Sequence, residues 1–176
     1  MTVAINKTRR RGDLWHFAGS LVASLGWLGF IFSNSLKSAE ESEAQSEAAL
    51  GLVTWFFGLF GVDDVLREEL LRKLAHFAEF AILSLLVSLT IFTMWRLARS
   101  GESPSRARPL LWGSLPICFL LALTDEWLQT FSEGRATEVS DVLLDTCGAA
   151  AASVCLQAGI SLIILVRKNT KKKRNF

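Results

Sequence analysis

Four stretches of this chain are long and apolar enough to cross a bilayer as helices, and that governs what else it can fold into. A hydrocarbon core about 30 Å thick needs roughly 20 mostly apolar residues in helical form. Residues 14–32 carry no charge except on His16, and residues 74–95 none after Glu79. Residues 110–131 are uncharged up to Asp125, and residues 142–166 apart from Asp145. The expected architecture is therefore all-α and integral to the membrane, with four transmembrane helices. At 176 residues, the chain leaves no room for a soluble domain beside them. With 51% hydrophobic residues it is not a disordered chain, and three cysteines without an internal repeat exclude a disulfide scaffold or a solenoid. The first apolar run, 19 residues long, exceeds a signal h-region and precedes no A-x-A site, so it is expected to be a retained span.

The net charge of +2 hides a strong asymmetry. Fourteen of the 19 Lys and Arg fall in three segments: the N-terminal flank, the connection between spans two and three, and the C-terminal tail. An even number of spans puts these segments on one side, and the positive-inside rule makes that side the cytoplasm. Both termini are thus expected to be cytoplasmic. Ten of the 17 acids lie in the two opposite loops. Trp15, Trp95 and Trp112 at inner ends and Trp127 near an outer end fit an aromatic belt of interfacial anchors. Cys118, Cys147 and Cys155 lie within spans without metal-ligand spacing and are expected to be small packing residues.

Residues 1–166 are expected to form one membrane domain, followed by a basic, disordered tail over 167–176. Attraction to anionic headgroups explains that tail, and no nucleic-acid partner is expected. The outer loop 33–73 divides into a Ser/Glu/Ala-rich part, 33–47, and an apolar part, 50–60, about half a span long. The latter is expected to be interfacial or re-entrant, in a position to cover a pocket. The third part, 62–73, has apolar residues at helical spacing, with Asp63 or Asp64 to cap its start, and is expected to run into span two.

Five acids remain at or inside spans: Glu79, Asp125, Glu126, Asp141 and Asp145. Such acids are costly in hydrocarbon and usually face a partner or a wet cavity. At 1.5 Å rise per residue, Glu79 stands about 24 Å above Trp95, Asp125 about 22 Å above Leu110 and Asp145 about 31 Å above Val166. All three therefore reach the outer third of the membrane or its surface. Arg72, His76 and Glu79 share one helical stripe; Asp125 with Gln129, and Asp141 with Asp145, are one turn apart. Arg135 sits in the short loop between spans three and four. Gly148, Ala152, Cys155 and Gly159 give span four a small-residue face. Two readings follow. In one, Arg72, Lys73 and Arg135 neutralise the acids in a purely structural network; in the other, the acids and His76 line an outward-facing polar pocket.

The segment 72–86, RKLAHFAEFAILSLL, resembles the K-x-x-H-F element of VanZ-like membrane proteins. DEWLQTFSEGRATEVSDVLLDTCGA, 125–149, resembles that family's longer D-E-x-x-Q-x-F element, and FSNSLKSAEES, 32–42, its Ser-rich segment after the first span. The match takes in Lys73, His76, Phe77, Asp125, Glu126, Gln129, Phe131, Arg135, Asp141 and Gly148. Phe80 stands where Tyr is common and Asp145 where Asn is common. What the resemblance implies is a bacterial cytoplasmic-membrane protein linked to the cell envelope. The family's namesake is associated with resistance to the glycopeptide teicoplanin; many members sit outside resistance clusters.

The leading expectation is a pocket that binds or acts on an envelope lipid or lipid-linked glycan. His76 with Asp125 or Glu126 would form its acid–base pair, and Lys73 and Arg135 would meet an anionic headgroup. Glu79, Gln129, Asp141 and Asp145 would line it. One alternative is a small membrane transferase or hydrolase, with a divalent cation held by carboxylates. Another is a non-enzymatic membrane partner that uses the small face of span four. No established cofactor and no particular metal is implied.

Overall fold

The computed structural model describes residues 2–38, 64–99, 102, 104–134 and 138–174. It contains α1 (Thr2–Ser35), α2 (Asp64–Ala98), α3 (Ser114–Gln129) and α4 (Val139–Arg174), with a 3-10 segment, Pro104–Gly113, leading into α3. No strand occurs among the described residues. Four stretches are long and apolar enough to cross a membrane: Arg10–Ser35, Leu70–Ala98, Ser105–Gln129 and Val139–Val166. Among the described residues the protein is all-helical, with four helices fit to cross a membrane, as its apolar runs predict. The apolar segment 50–60 and the part of the loop beyond Ser38 lie outside the described residues.

The third span is built differently from the helix expected over 110–131. A 16-residue α3 is about 24 Å long, short of a core about 30 Å thick. The 3-10 segment, which rises about 2.0 Å per residue, supplies the remainder. Pro109, inside it, has no N–H to give an α-helical ladder. Past α3 the chain turns at Gly134, whose φ of 77° is the left-handed conformation glycine adopts without strain.

Side-chain pairs fix the helix directions. Ser20 and Thr93 share a hydrogen bond of 2.8 Å, and Ser24 and Thr90 one of 2.9 Å. Nearer the N-terminus of α1, Arg96 donates to Asp13 at 2.6 Å. Rising numbers on α1 meet falling numbers on α2, so the two are antiparallel. Against α4 the trend reverses: His76 meets Asp145, and Ser84 meets Ser153. These two helices run parallel, and α3 runs against both. Both termini therefore lie at the end that holds Asp13, Arg96 and Arg108. There Arg108 donates to Ser161 at 2.7 Å and ties the 3-10 segment to α4. Hydrogen bonds from Arg99 and then Arg106 hold the Glu102 carboxyl below its usual range.

The core draws on every helix: Ile31, Phe80, Leu83, Cys118, Ala122, Val142 and Ala149 form one buried cluster. Phe80 is completely buried, so a phenyl ring serves where a hydroxyl would need a partner. Ser84, Ser114 and Ser153 join α2, α3 and α4 through mutual hydrogen bonds of 2.9–3.2 Å. The outside carries many exposed large apolar side chains, Leu120, Leu143 and Leu162 among them, which lipid covers.

Four expectations are corrected. Trp95 is buried and stacks on Phe92, so it packs the bundle, while Trp15, Trp112 and Trp127 are exposed as anchors would be. Among the cysteines only Cys118 packs inside; Cys147 and Cys155 are exposed, because they fall off the face of α4 that meets its neighbours. The small-residue face of α4 stops short as well. Gly148 and Ala152 are buried, but Cys155 is exposed and a Cβ on Gly159 would meet nothing within 4 Å. Finally, α4 does not end at Val166. It runs on through Arg174, since no Gly or Pro interrupts a segment rich in helix-forming Lys and Arg.

Candidate functional site

The end of the bundle away from the termini gathers the buried acids. His76 on α2, Asp125, Glu126 and Gln129 on α3, and Asp141 and Asp145 on α4 are all buried. His76, Asp125 and Asp145 come closest together. Each offers a ligand atom, and these atoms all lie within 4.8 Å of one another. Three helices thus deliver one nitrogen and two carboxylate groups to a single point. The expected common depth of the polar residues holds for these three.

Asp125 is fully buried and held on both oxygens. Ser35 Oγ donates to Oδ1 at 2.5 Å, and Gln129 Nε2 to Oδ2 at 3.2 Å. Ser132 Oγ in turn donates to the Ser35 carbonyl at 2.8 Å, which fastens the end of α1 to the end of α3. His76 Nδ1 lies 3.5 Å from Asp145 Oδ1, too far for an ordinary N–H···O bond. Both atoms are buried and neither has a hydrogen-bond partner; Asp141 Oδ1 shares that condition. Leaving a buried polar atom unsatisfied costs about 1–3 kcal/mol, so three at one end of a bundle ask for an explanation.

Glu126 and Glu79 stand at the edges of this cluster and are otherwise engaged. Glu126 accepts the backbone N–H of Glu138, just ahead of α4, and so ties that entry to α3. Glu79 is half-buried; Asn34 Nδ2 approaches its Oε1 at 3.4 Å, and Trp27 Nε1 donates to its backbone carbonyl at 2.9 Å. Lys37 Nζ donates to Asn34 Oδ1 at 2.8 Å. Lys73 is half-buried on α2, whereas Arg72 is exposed and does not follow His76 inward. Arg135 lies outside the described residues.

The spacing of α2 and α4 beside the cluster is set by Gly148. A Cβ there would collide with the carbonyl oxygen of Phe77 and lie 3.1 Å from its Cα. Backbone meets backbone one residue after His76 and three after Asp145, which is the closeness that small residues permit between membrane helices.

Sequence reasoning missed Ser35, Asn34, Trp27 and Ser132 as supports of the site. The Ser-rich segment after span one was the available signal for Ser35 and Asn34. For Trp27 and Ser132 there was none, because their partners lie far away in sequence.

One protein-family model, described as VanZ/LLP1, matches residues 20–164 of the chain. Neither a curated protein nor a solved structure matches it.

Proposed function

The chain belongs to the VanZ/LLP1 family, and on that premise we propose that it binds or acts on an envelope lipid or lipid-linked glycan through the buried polar end of its bundle. The observation that carries this reading is the convergence of His76, Asp125 and Asp145, from three helices, within a membrane-spanning bundle. A solely structural network would be expected to satisfy its own buried atoms, and this one leaves three without a hydrogen bond. The basic end, with Arg96, Arg99, Arg106 and Arg108, faces the cytoplasm under the positive-inside rule. The polar cluster then lies on the side of the outer leaflet of the cytoplasmic membrane, where envelope lipids and lipid-linked glycans are handled.

In this reading His76 exchanges a proton with a lipid headgroup and Asp125 is its partner. Asp125 is preferred to Glu126 because a carboxylate oxygen of Asp125 comes within 4.8 Å of a His76 ring nitrogen. Lys73 and Arg135 neutralise the headgroup's negative charge, with Glu79, Gln129, Asp141 and Asp145 around the bound group. The same groups would serve a transferase or a hydrolase. The reading as a non-enzymatic partner keeps only Cys155 and Gly159 of the small face, because Gly148 is already taken up by Phe77 of the same chain.

The test is a profile, by mass spectrometry, of envelope lipids and lipid-linked glycans in three strains. One lacks the gene, one has wild type restored, and one carries His76→Ala at matched abundance. A lipid species restored by wild type and not by His76→Ala is the expected result. Equal restoration by both proteins, or no change in any strain, would overturn the proposal. Teicoplanin susceptibility of the same strains tests the link to resistance.

A further inference from the structure

We propose that His76, Asp125 and Asp145 form a binding site for a divalent cation of the Zn²⁺ type. The inference stands on geometry alone and does not depend on the lipid reading above.

The donor set comes first. One imidazole and two carboxylates make three protein ligands, the number that catalytic zinc sites use while keeping a position open for water or substrate. An imidazole nitrogen disfavours Mg²⁺ and Ca²⁺, which take oxygen ligands, and suits Zn²⁺. Zn–N and Zn–O bonds of about 2.1 Å in a tetrahedron put ligand atoms about 3.4 Å apart. The three atoms here already lie within 4.8 Å of one another. Each must move inward by less than about 1 Å to close on the metal, an adjustment within the reach of side-chain torsions.

The orphaned atoms are the second, independent observation. His76 Nδ1 and Asp145 Oδ1 are buried without hydrogen bonds, on side chains 9% and 2% exposed. They are 3.5 Å apart, close to the tetrahedral ligand spacing. A water molecule between them would satisfy lone pairs but bring no charge. A cation satisfies the same lone pairs and offsets the repulsion between Asp125 and Asp145, which is strong where water is excluded.

The surroundings fit as well. Good metal sites hold their ligands through outer hydrogen bonds. Ser35 and Gln129 hold Asp125 in this way. The Gly148–Phe77 contact fixes the spacing of the helices that supply His76 and Asp145. Asp141, one turn from Asp145 on α4, has a further unpartnered oxygen on the same helix.

The test uses the full chain purified in detergent micelles, stripped with chelator, and titrated with Zn²⁺ by calorimetry. Wild type is expected to take up one Zn²⁺ per chain, with Mg²⁺ competing poorly. Asp145→Asn keeps the side chain's shape and removes its charge; it should weaken binding about 10-fold or more. Glu102→Gln, at the opposite end, should bind like wild type. No Zn²⁺ uptake by wild type, or equal affinity in wild type and Asp145→Asn, overturns the site. X-ray absorption on Zn²⁺-loaded wild type needs no variant to fold. It should show nitrogen and oxygen ligands with a single imidazole, and a sulfur ligand would overturn the site too. A bound cation with no lipid phenotype keeps the site and ends the lipid reading; a lipid phenotype with no cation does the reverse.

Discussion

Replacing Gly148 by alanine is expected to force α2 and α4 apart at the point where they touch. The added methyl would lie 3.0 Å from the Phe77 carbonyl carbon and 3.1 Å from its Cα, with the carbonyl oxygen closer still. All of these are backbone atoms of a helix, so no flexible side chain can swing aside. Overpacking of this kind costs about 1–3 kcal/mol. For a chain of this length each kcal/mol shifts Tm by about 2–4 °C, which makes the expected drop about 2–12 °C. Gly159 is the control. It lies on the same helix, and a Cβ there meets nothing within 4 Å. Gly159→Ala should hold Tm or raise it, since alanine favours a helix interior by about 1 kcal/mol over glycine. Thermal unfolding in micelles, followed by helical circular dichroism, reads both variants. A Gly148→Ala protein as stable as Gly159→Ala would refute the close approach. Because Asp145 lies just before Gly148, the same variant should also weaken Zn²⁺ binding, and by more than Gly159→Ala does.

Ser35→Ala removes a hydrogen bond to the buried Asp125 carboxylate and should cost about 1.5–3 kcal/mol in stability, read as a lower Tm. Arg96→Gln leaves the buried Asp13 without its cation. The loss should be about 1 kcal/mol, because Arg96 is itself partly exposed, and Asp13→Asn in the same chain should recover most of it. Reporter fusions after Arg174 and between Arg99 and Arg106 should both be active on the cytoplasmic side. A periplasmic signal from either would invert the proposed orientation.

The four spans and their alternation were legible because a bilayer imposes a length and a polarity that composition alone satisfies. The membership of the polar cluster was legible for a related reason. Acids are so rare in hydrocarbon that His76, Asp125 and Asp145 stood out against their apolar neighbours. Periodicity on one helix could not tell which neighbours each residue would meet. It put Arg72 on the stripe of His76, but Arg72 is exposed, because a stripe wide enough for three positions is wider than the face that packs. It put Gly159 with Gly148, although the helix that approaches one does not reach the other. Trp95 looked like an anchor from its place at a span end, and only the neighbouring helices decide that it is covered. Ser35 and Asp125 are 90 residues apart, and nothing local to either forecasts their bond. The 3-10 start of the third span was also hidden, because an apolar run states how far the chain must reach and not how it coils.

The three serines that join α2, α3 and α4 have a mechanical consequence. Ser84 and Ser153 each lie eight residues from His76 and Asp145, about 12 Å along the helix axes. Three hydroxyls that bond to one another pin the helices at that level, and the Phe77–Gly148 contact fastens α2 to α4 a second time nearer the cluster. From the same rise per residue, a tilt of only about 5° about the serines would part the His76 and Asp145 ends by 1 Å, and the second fastening at Phe77 opposes that tilt.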